Sequence, residues 1–354
     1  MTDGADVRGQ RGARVTAGPD AEDARPNAGP EVHADRVVFR LEDRGFTSVR
    51  LQQELERPRS GPAFARAGGS DVWELEYRRA QVDRMEYRIE ADGDCFCDPH
   101  NPLRAPGAFG DKSVVEFPGY RPPQWLQAPD PAPATRTTET TSVWSPPDTD
   151  LRKPLPLLVA HDGGEYERLA ALTKLIAHAI ATNRLPTCRV ALLGTQDRDE
   201  DYSASARYAR RLAASLPQLA PATATAGIGA SLGALALLHT RTIHPGAFQA
   251  LMLQSGSFFR LRWDRQESGF PRFRRISRFV GQILHAGPAH APIPITITCG
   301  APEENLANNR AVATALRRQG HDLTLHVNRD AHNYVAWRDT LDPHLIQLLQ
   351  RAWG

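Results

Sequence analysis

Ser231 lies in the run Thr225-Ala226-Gly227-Ile228-Gly229-Ala230-Ser231-Leu232-Gly233-Ala234, where a Gly-x-Ser-x-Gly pentapeptide divides an apolar, β-branched segment from a helix-forming one. A serine lifted out of a sharp strand-to-helix turn needs glycine on either side, because a Cβ there would strike the neighbouring backbone. Its hydroxyl then stands clear for nucleophilic attack. Such a nucleophile needs a general base, and the polar loop Asn328-Arg329-Asp330-Ala331-His332-Asn333-Tyr334 supplies His332 just ahead of the last helical segment. A carboxylate must hold the imidazole in the right tautomer, and Gly300-Ala301-Pro302-Glu303-Glu304-Asn305 supplies Glu303 or Glu304. Acidic residues also favour the first turn of a helix whatever the function, so one of the two has an ordinary explanation; Glu303 is preferred as the acid. Behind a third apolar run, His161-Asp162-Gly163-Gly164 places the backbone N–H groups of Gly163 and Gly164, together with that of Leu232, as candidates to face a developing oxyanion. The chemistry these groups share is acyl transfer.

The elements around them alternate. Leu155–Ala160, Arg189–Leu193, Thr223–Ile228, Phe248–Leu253, Ile293–Cys299 and Leu323–Val327 read as short buried strands. Helical spacing falls between them, at Tyr166–Ala181, Ala204–Leu216 and Leu306–Arg318, with a terminal helix ending near Trp353. Strand-helix alternation of this kind predicts an α/β fold with a mainly parallel sheet covered on both faces. Ligands of such sheets bind at the carboxyl ends of the strands, so the loops after Ala160, Ile228, Cys299 and Val327 should converge. The order serine, acid, histidine along the chain is that of the α/β-hydrolases.

Upstream the pattern differs. Val37–Leu41, Val49–Leu51, Val72–Tyr77 and Met85–Ile89 are alternating runs separated by Gly, Pro and Asp clusters, the pattern of an antiparallel sandwich. Four segments follow: a tail over 1–30, too poor in large apolar residues to order; a small all-β domain over 31–121; a proline-rich linker over 122–135; and the α/β domain over 136–354. A chain of 354 residues suits two domains, and a net charge of +2 gives no field that would recruit nucleic acid or an anionic membrane. No apolar stretch reaches the length of a membrane span and the amino terminus has no h-region, so a cytoplasmic location is expected. Cys95, Cys97, Cys188 and Cys299 fit neither a disulfide framework nor a zinc ligand set, and no metal or cofactor is expected. Cys95 and Cys97 are expected to be small packing residues on one face of a strand.

Taken together, these residues resemble the esterases of the enterochelin esterase type within the α/β-hydrolases. The resemblance rests on Asp162-Gly163-Gly164, Gly229-Ala230-Ser231-Leu232-Gly233, Gln254-Ser255-Gly256-Ser257-Phe258, Gly300-x-x-Glu303 and His332 followed by Trp337-Arg338-Asp339. It extends upstream through Asp98-Pro99-His100-Asn101-Pro102, Gly110-Asp111-Lys112-Ser113 and Pro118-Gly119-Tyr120. It implies an Ig-like domain packed beside the active site and hydrolysis of ester bonds in a catecholate trilactone siderophore, with any iron arriving as part of the substrate. One departure stands out: familiar members carry Gly-Gly-His-Asp at the base, where this chain has Asp330-Ala331-His332-Asn333.

For substrate contacts, Arg198 and Tyr202 resemble a family stretch near the site. Phe258, Arg260 and Trp263 open a run of aromatic and arginine side chains that would suit an anionic aromatic ligand, and that equally suits a basic helix surface over core aromatics. The expected partner is a small-molecule ester, with a ferric siderophore as one candidate. Besides siderophore hydrolysis, two alternatives remain: an esterase, acyltransferase or macrolactone-forming thioesterase acting on another natural-product or carbohydrate ester, and a non-catalytic siderophore- or glycan-binding protein.

Overall fold

A computed structural model describes residues 29–354 except Arg57, Phe109 and Thr135. The tail expected over 1–30 therefore lies almost wholly outside the described residues. From Glu31 onward the chain builds two antiparallel sheets. One pairs Arg36–Glu42 with Val72–Arg78, flanked by the short strands Glu31–Val32 and Ala65–Arg66. The other runs in the order Ser60–Ala63, Val49–Gln53, Arg84–Ala91, Lys112–Glu116 and Arg104–Ala105, with Asp94–Phe96 hairpinned onto Arg84–Ala91. Alternate residues of these strands, among them Val37, Phe39, Leu51, Met85, Tyr87 and Ile89, form the buried layer between the sheets. This is the all-β sandwich that period-two patterning predicts.

The second half is an eight-stranded sheet in the order Arg136–Thr137, Thr141–Trp144, Arg189–Leu193, Leu155–His161, Ala222–Ala230, Ala250–Gln254, Pro294–Gly300 and Asp322–Asn328. The six strands from Arg189–Leu193 to the Asp322–Asn328 edge are mutually parallel, while Thr141–Trp144 joins antiparallel. Successive strand residues enter opposite layers. Leu157, Val159, Leu251, Leu253, Ile295 and Ile297 face one core. Leu158, Ala160, Ala226, Ile228, Ala250 and Met252 face the other. Helices Ala206–Leu219, Leu232–Ile243, Phe273–His285 and Leu306–Arg318 cover the first core, and Gly163–Ala170, Leu172–Ala181 and Leu341–Trp353 cover the second. The architecture is an α/β-hydrolase domain preceded by a small all-β domain, as the alternation predicts. None of its described helices is long and apolar enough to cross a membrane.

Several local expectations need correction. Tyr166–Ala181 is two helices, broken at Ala171 with φ 48°. The Glu167 carboxylate reaches across the break and accepts from Thr173 N at 3.1 Å, capping the second helix where a continuous one would need no cap. The antiparallel edge at 136–144 is Thr-rich and half polar, which hides it from an apolar-run criterion. Cys95 does not pack; it is exposed on the outlying strand, with Cys97 partly so. The end of the aromatic and arginine run, from Phe273 onward, enters an amphipathic helix, with Phe273, Ile276, Phe279, Val280 and Ile283 buried. Its arginines serve packing too, since Arg272 and Arg275 pair with Glu200 at 2.6 and 2.7 Å.

The terminal helix closes the second core through Leu341, Leu345, Ile346, Leu348 and Leu349. Leu345→Ala should therefore lower stability by about 2–5 kcal/mol. Urea unfolding should show a lower midpoint with an unchanged slope; an unchanged midpoint would mean that the helix does not seal the sheet.

Candidate active site

Ser231 sits between the strand Ala222–Ala230 and the helix Leu232–Ile243 with φ 56° and ψ −121°, a conformation that β-carbon-bearing residues adopt only under constraint. The constraint is visible. Its N–H donates to the Gln254 carbonyl at 2.8 Å, and its carbonyl accepts from Ser257 N at 3.1 Å and Leu235 N at 3.3 Å. The turn closes so tightly that a Cβ on Gly229 would lie 2.7 Å from the carbonyl carbon of Gly233. The Ser231 hydroxyl is 2.9 Å from Ser257 Oγ.

Glu303 and His332 follow the last two strands of the sheet, Pro294–Gly300 and Asp322–Asn328, with Ala250–Gln254 lying between these and the Ser231 strand. His332 Nδ1 is 2.7 Å from Glu303 Oε2, while Oε1 accepts from Ser255 Oγ and from Gly300 N, each at 2.7 Å. Trp337 Nε1 donates to Ser255 Oγ at 3.0 Å, so the hydroxyl holding the acid is itself held. Glu303 is 8% exposed, and a carboxylate so buried persists in ionised form only with such donors. Burial pushes its pKa up, but the imidazole and these hydrogen bonds outweigh it and hold the carboxyl below its usual range. In His332 burial acts downward, and the charge and hydrogen bond of Glu303 outweigh it, leaving the imidazole above its ordinary value. With Nδ1–H committed to Glu303, the neutral ring keeps Nε2 as its basic atom. Glu304 is separate: it faces Arg59 at 3.7 Å.

Ser231 and His332 line two adjoining cavities of about 190 and about 420 Å3. The smaller is walled by Glu54, Arg59, Ser257, Phe259 and Glu304, and the larger by Lys112, Asp162, Arg198, Tyr334 and Trp337. Both domains thus contribute to the cleft. Asp162, with φ 50°, precedes the helix Gly163–Ala170 much as Ser231 precedes its own helix. First-turn N–H groups have no intrahelical partner, so Gly163 and Leu232 each carry a free amide at these corners. A Cβ on Gly163 would collide with the backbone of Leu192, which restricts that corner to glycine. Gly164 instead opens onto a different cavity with Thr138 and Trp144.

The substrate-contact expectations divide. Arg198 lines the larger cavity, its guanidinium laid against Asp162 with Nε 3.0 Å from Oδ1 and Nη2 2.8 Å from Oδ2. Tyr202 does not reach the cleft: it is fully buried, stacked on His161 at 4.6 Å, and its hydroxyl accepts from Asp162 N at 3.3 Å. Phe258 is likewise buried in the core, and the neighbouring Phe259 faces the cleft instead. Arg260 and Trp263 stack on each other at 3.8 Å outside both cavities, with Trp263 62% exposed. Of the sandwich-domain residues in the cleft, Glu54 and Arg59 carry no motif, and Lys112 stood in the Gly110-to-Ser113 stretch without a role. Ser255 and Ser257 were visible within the Gln254-to-Phe258 motif but without a role.

A family model described as "Putative esterase" matches residues 133–348. The chain belongs to this esterase family. It is accordingly a carboxylic ester hydrolase. Among solved structures, the enterochelin esterase of Shigella flexneri is similar at 19% identity, with a TM-score of 0.74 over 93% of this chain and 97% of that one. The ferric enterobactin esterase of Salmonella typhimurium is similar at 18% identity and a TM-score of 0.71, covering 92% and 98% of the two chains. At this identity the likeness extends to the fold of both domains together. No curated protein sequence matches the chain.

The His332–Glu303 contact makes a titration prediction. The native His332 midpoint should lie above the ordinary value of 6.5 and fall in Glu303→Gln, as followed by NMR of the imidazole. Because the folded pKa is the higher one, this contact should stabilise the fold fully below the unfolded pKa and lose that contribution as pH rises through the folded pKa. A midpoint unmoved by Glu303→Gln would sink this assignment of the partner.

Proposed function

We propose that the chain is a serine esterase in which Ser231 is the nucleophile, His332 the general base and Glu303 the residue that orients it. The observation that carries this reading is the 2.7 Å contact of His332 Nδ1 with a buried Glu303, beside a strained serine that lines the same cavities as the imidazole. When an ester carbonyl enters, the Ser231 hydroxyl leaves Ser257 and gives its proton to His332 Nε2 as Oγ attacks. The negative charge that develops on the carbonyl oxygen is met by the amides of Leu232 and Gly163 at their helix N-termini. Collapse breaks the ester C–O bond, and His332 returns the proton to the departing alcohol. Water, deprotonated by the same nitrogen, then releases the acid from the acyl-enzyme and restores Ser231. Glu303 stays ionised throughout and stabilises the transient imidazolium.

For the substrate, the reading extends to a catecholate trilactone or a related aromatic ester. The two solved neighbours are named for enterochelin and ferric enterobactin, and this cleft presents Arg59, Lys112 and Arg198 toward a ligand. Each of these cations already faces a carboxylate: Glu304, Glu54 or Asp162. Carboxylates outnumber cations in the lining, where Glu56, Glu86, Glu165 and Glu267 also stand, so the cleft suits a ligand that exchanges these contacts rather than one drawn by a basic surface.

Three measurements test the proposal. A fluorophosphonate probe should label Ser231, because an unactivated serine does not react. Ser231→Ala should lose about a thousandfold or more of its activity on a p-nitrophenyl ester, and retention of full activity would refute the assignment. For the substrate, kcat/KM should be highest for a ferric or iron-free catecholate trilactone among a panel that includes a feruloyl and a short p-nitrophenyl ester. A feruloyl or short-chain preference would overturn the siderophore assignment and leave the triad standing.

A further inference from the structure

The loop that carries His332 is held by the other domain. The Arg329 carbonyl accepts from Asp83 N at 2.8 Å, and Arg329 Nε donates to Asp83 Oδ1 at 2.9 Å. Ala331, 4% exposed, packs within the core cluster of the sandwich, alongside Val37, Tyr87 and Phe117. Between them Asp330 is 7% exposed, and its Oδ1 accepts from Ala331 N at 2.7 Å and from Asn333 Nδ2 at 3.1 Å. Its Oδ2 faces Arg84 Nη1 at 3.8 Å. Arg84, 3% exposed on the strand Arg84–Ala91, also donates to Glu86 Oε1 at 2.9 Å. Glu86 lies 3.5 Å from Lys112, which bonds Glu54 in the wall of the cleft at 2.7 Å.

The consequence is positional. Residues 329 to 331 are fastened to the sandwich, His332 is the next residue, and Asn333 caps the following helix through Ala336 N at 2.8 Å. The imidazole thus has a fixed point immediately on either side. The two positions at which this chain departs from Gly-Gly are Asp330 and Ala331, and both of their side chains meet the sandwich domain.

We propose that Arg84 and Asp330 are positioning residues: a buried ionic contact across the domain boundary that sets His332 against Glu303, making the β-sandwich part of the catalytic machinery. The proposal rests on the assignment of His332 as base. Burial pushes the Asp330 carboxyl up to about 7, and of the charges facing it Arg84 opposes that shift while Glu86 adds to it. Loss of the guanidinium would leave a buried carboxylate without its counter-charge, and it would take up a proton or recruit water. Either event loosens the two hydrogen bonds that Oδ1 accepts from within the loop.

The test is a double-mutant cycle in the full chain, using Arg84→Met, Asp330→Asn and the pair together, with a p-nitrophenyl ester as substrate. Arg84→Met should lower kcat and the rate of fluorophosphonate labelling about 10- to 100-fold, as small misplacements of a catalytic group do. KM should stay within about threefold, because ground-state binding is untouched. The acidic limb of the kcat/KM profile should move to lower pH, since an imidazole displaced from Glu303 loses the partner that raises its pKa. Partial unfolding would scale that profile without moving it. The double variant should recover activity relative to Arg84→Met, because a neutral amide in place of the Asp330 carboxylate leaves no charge unpaired. Additive losses in the cycle, or an unchanged kcat in folded Arg84→Met, overturn the proposal. If Arg84→Met does not fold, Asp330→Asn decides alone: a kcat lowered with KM kept supports it and an unchanged kcat overturns it. Failure of the triad assignment looks different, as an unaltered protein that the probe does not label, and it removes this proposal as well.

Discussion

The site depends on keeping one carboxylate charged where water scarcely reaches it. Glu303 is 8% exposed, and an ionised group there would be expelled or protonated without compensation. Its compensation is drawn from three parts of the chain: the Gly300 amide at the end of its own strand, the Ser255 hydroxyl beyond the adjacent strand, and His332 beyond the sheet edge. Each donor demands another. Ser255 has φ 48° and accepts from Trp337, whose carbonyl in turn accepts from Gln254 Nε2 at 3.0 Å. Gln254 Oε1 accepts from Tyr166 at 2.7 Å, and the Gln254 carbonyl holds the Ser231 amide. One chain of contacts therefore joins Glu303 to Ser231 through the strand between them.

Close packing of backbone is the second condition. A Cβ on Gly300 would collide with the Asp330 carbonyl, so the strand leading to Glu303 and the loop bearing His332 can approach only because the residue between them has no side chain. Gly229 against Gly233 and Gly163 against Leu192 repeat the arrangement at Ser231 and at the helix corner beside it. Around the cleft, positive-φ backbone falls at Asp162, Ser231 and Ser255, all at strand ends, and the regular hydrogen bonding of the parallel sheet beneath absorbs the strain.

What was legible in the sequence follows the distance over which each determinant acts. The alternation of strands and helices is written in contiguous apolar runs, and Ser231, Glu303 and His332 each sit in a short polar or small-residue segment directly after such a run. The direction in which a neighbouring side chain turns is not written there. Tyr202 looked available beside Arg198, yet a stacked His161 and a bonded Asp162 amide draw it inward. Phe258 and Phe259 are equivalent as letters, and only the packing of Phe258 into the core leaves Phe259 to the cleft. Gly164 belongs to the motif but faces another cavity, because the helix turns it away within one residue of Gly163. Least legible of all were Glu54 and Arg59, which reach the cleft from a sandwich whose own pattern concerns only its core.

That last point bears on why a hydrolase should carry a sandwich at all. The α/β sheet alone can present a serine, an acid and a histidine, but its edge strand, Asp322–Asn328, has a neighbour on one side only, and Val327 on it is 43% exposed. A histidine carried beyond such an edge is held by fewer contacts than a serine carried by a central strand. The Asp83–Arg329 and Tyr120–Asp339 hydrogen bonds flank this loop from the sandwich side, the latter at 2.7 Å. They act where the sheet offers least support. The same docking brings Glu54, Arg59 and Lys112 over Ser231, so the shape of the cleft and the placement of His332 have a common structural origin. A change that shifts the sandwich to admit a different ester must also shift the His332 loop, and this coupling limits how freely specificity can vary without loss of the catalytic geometry.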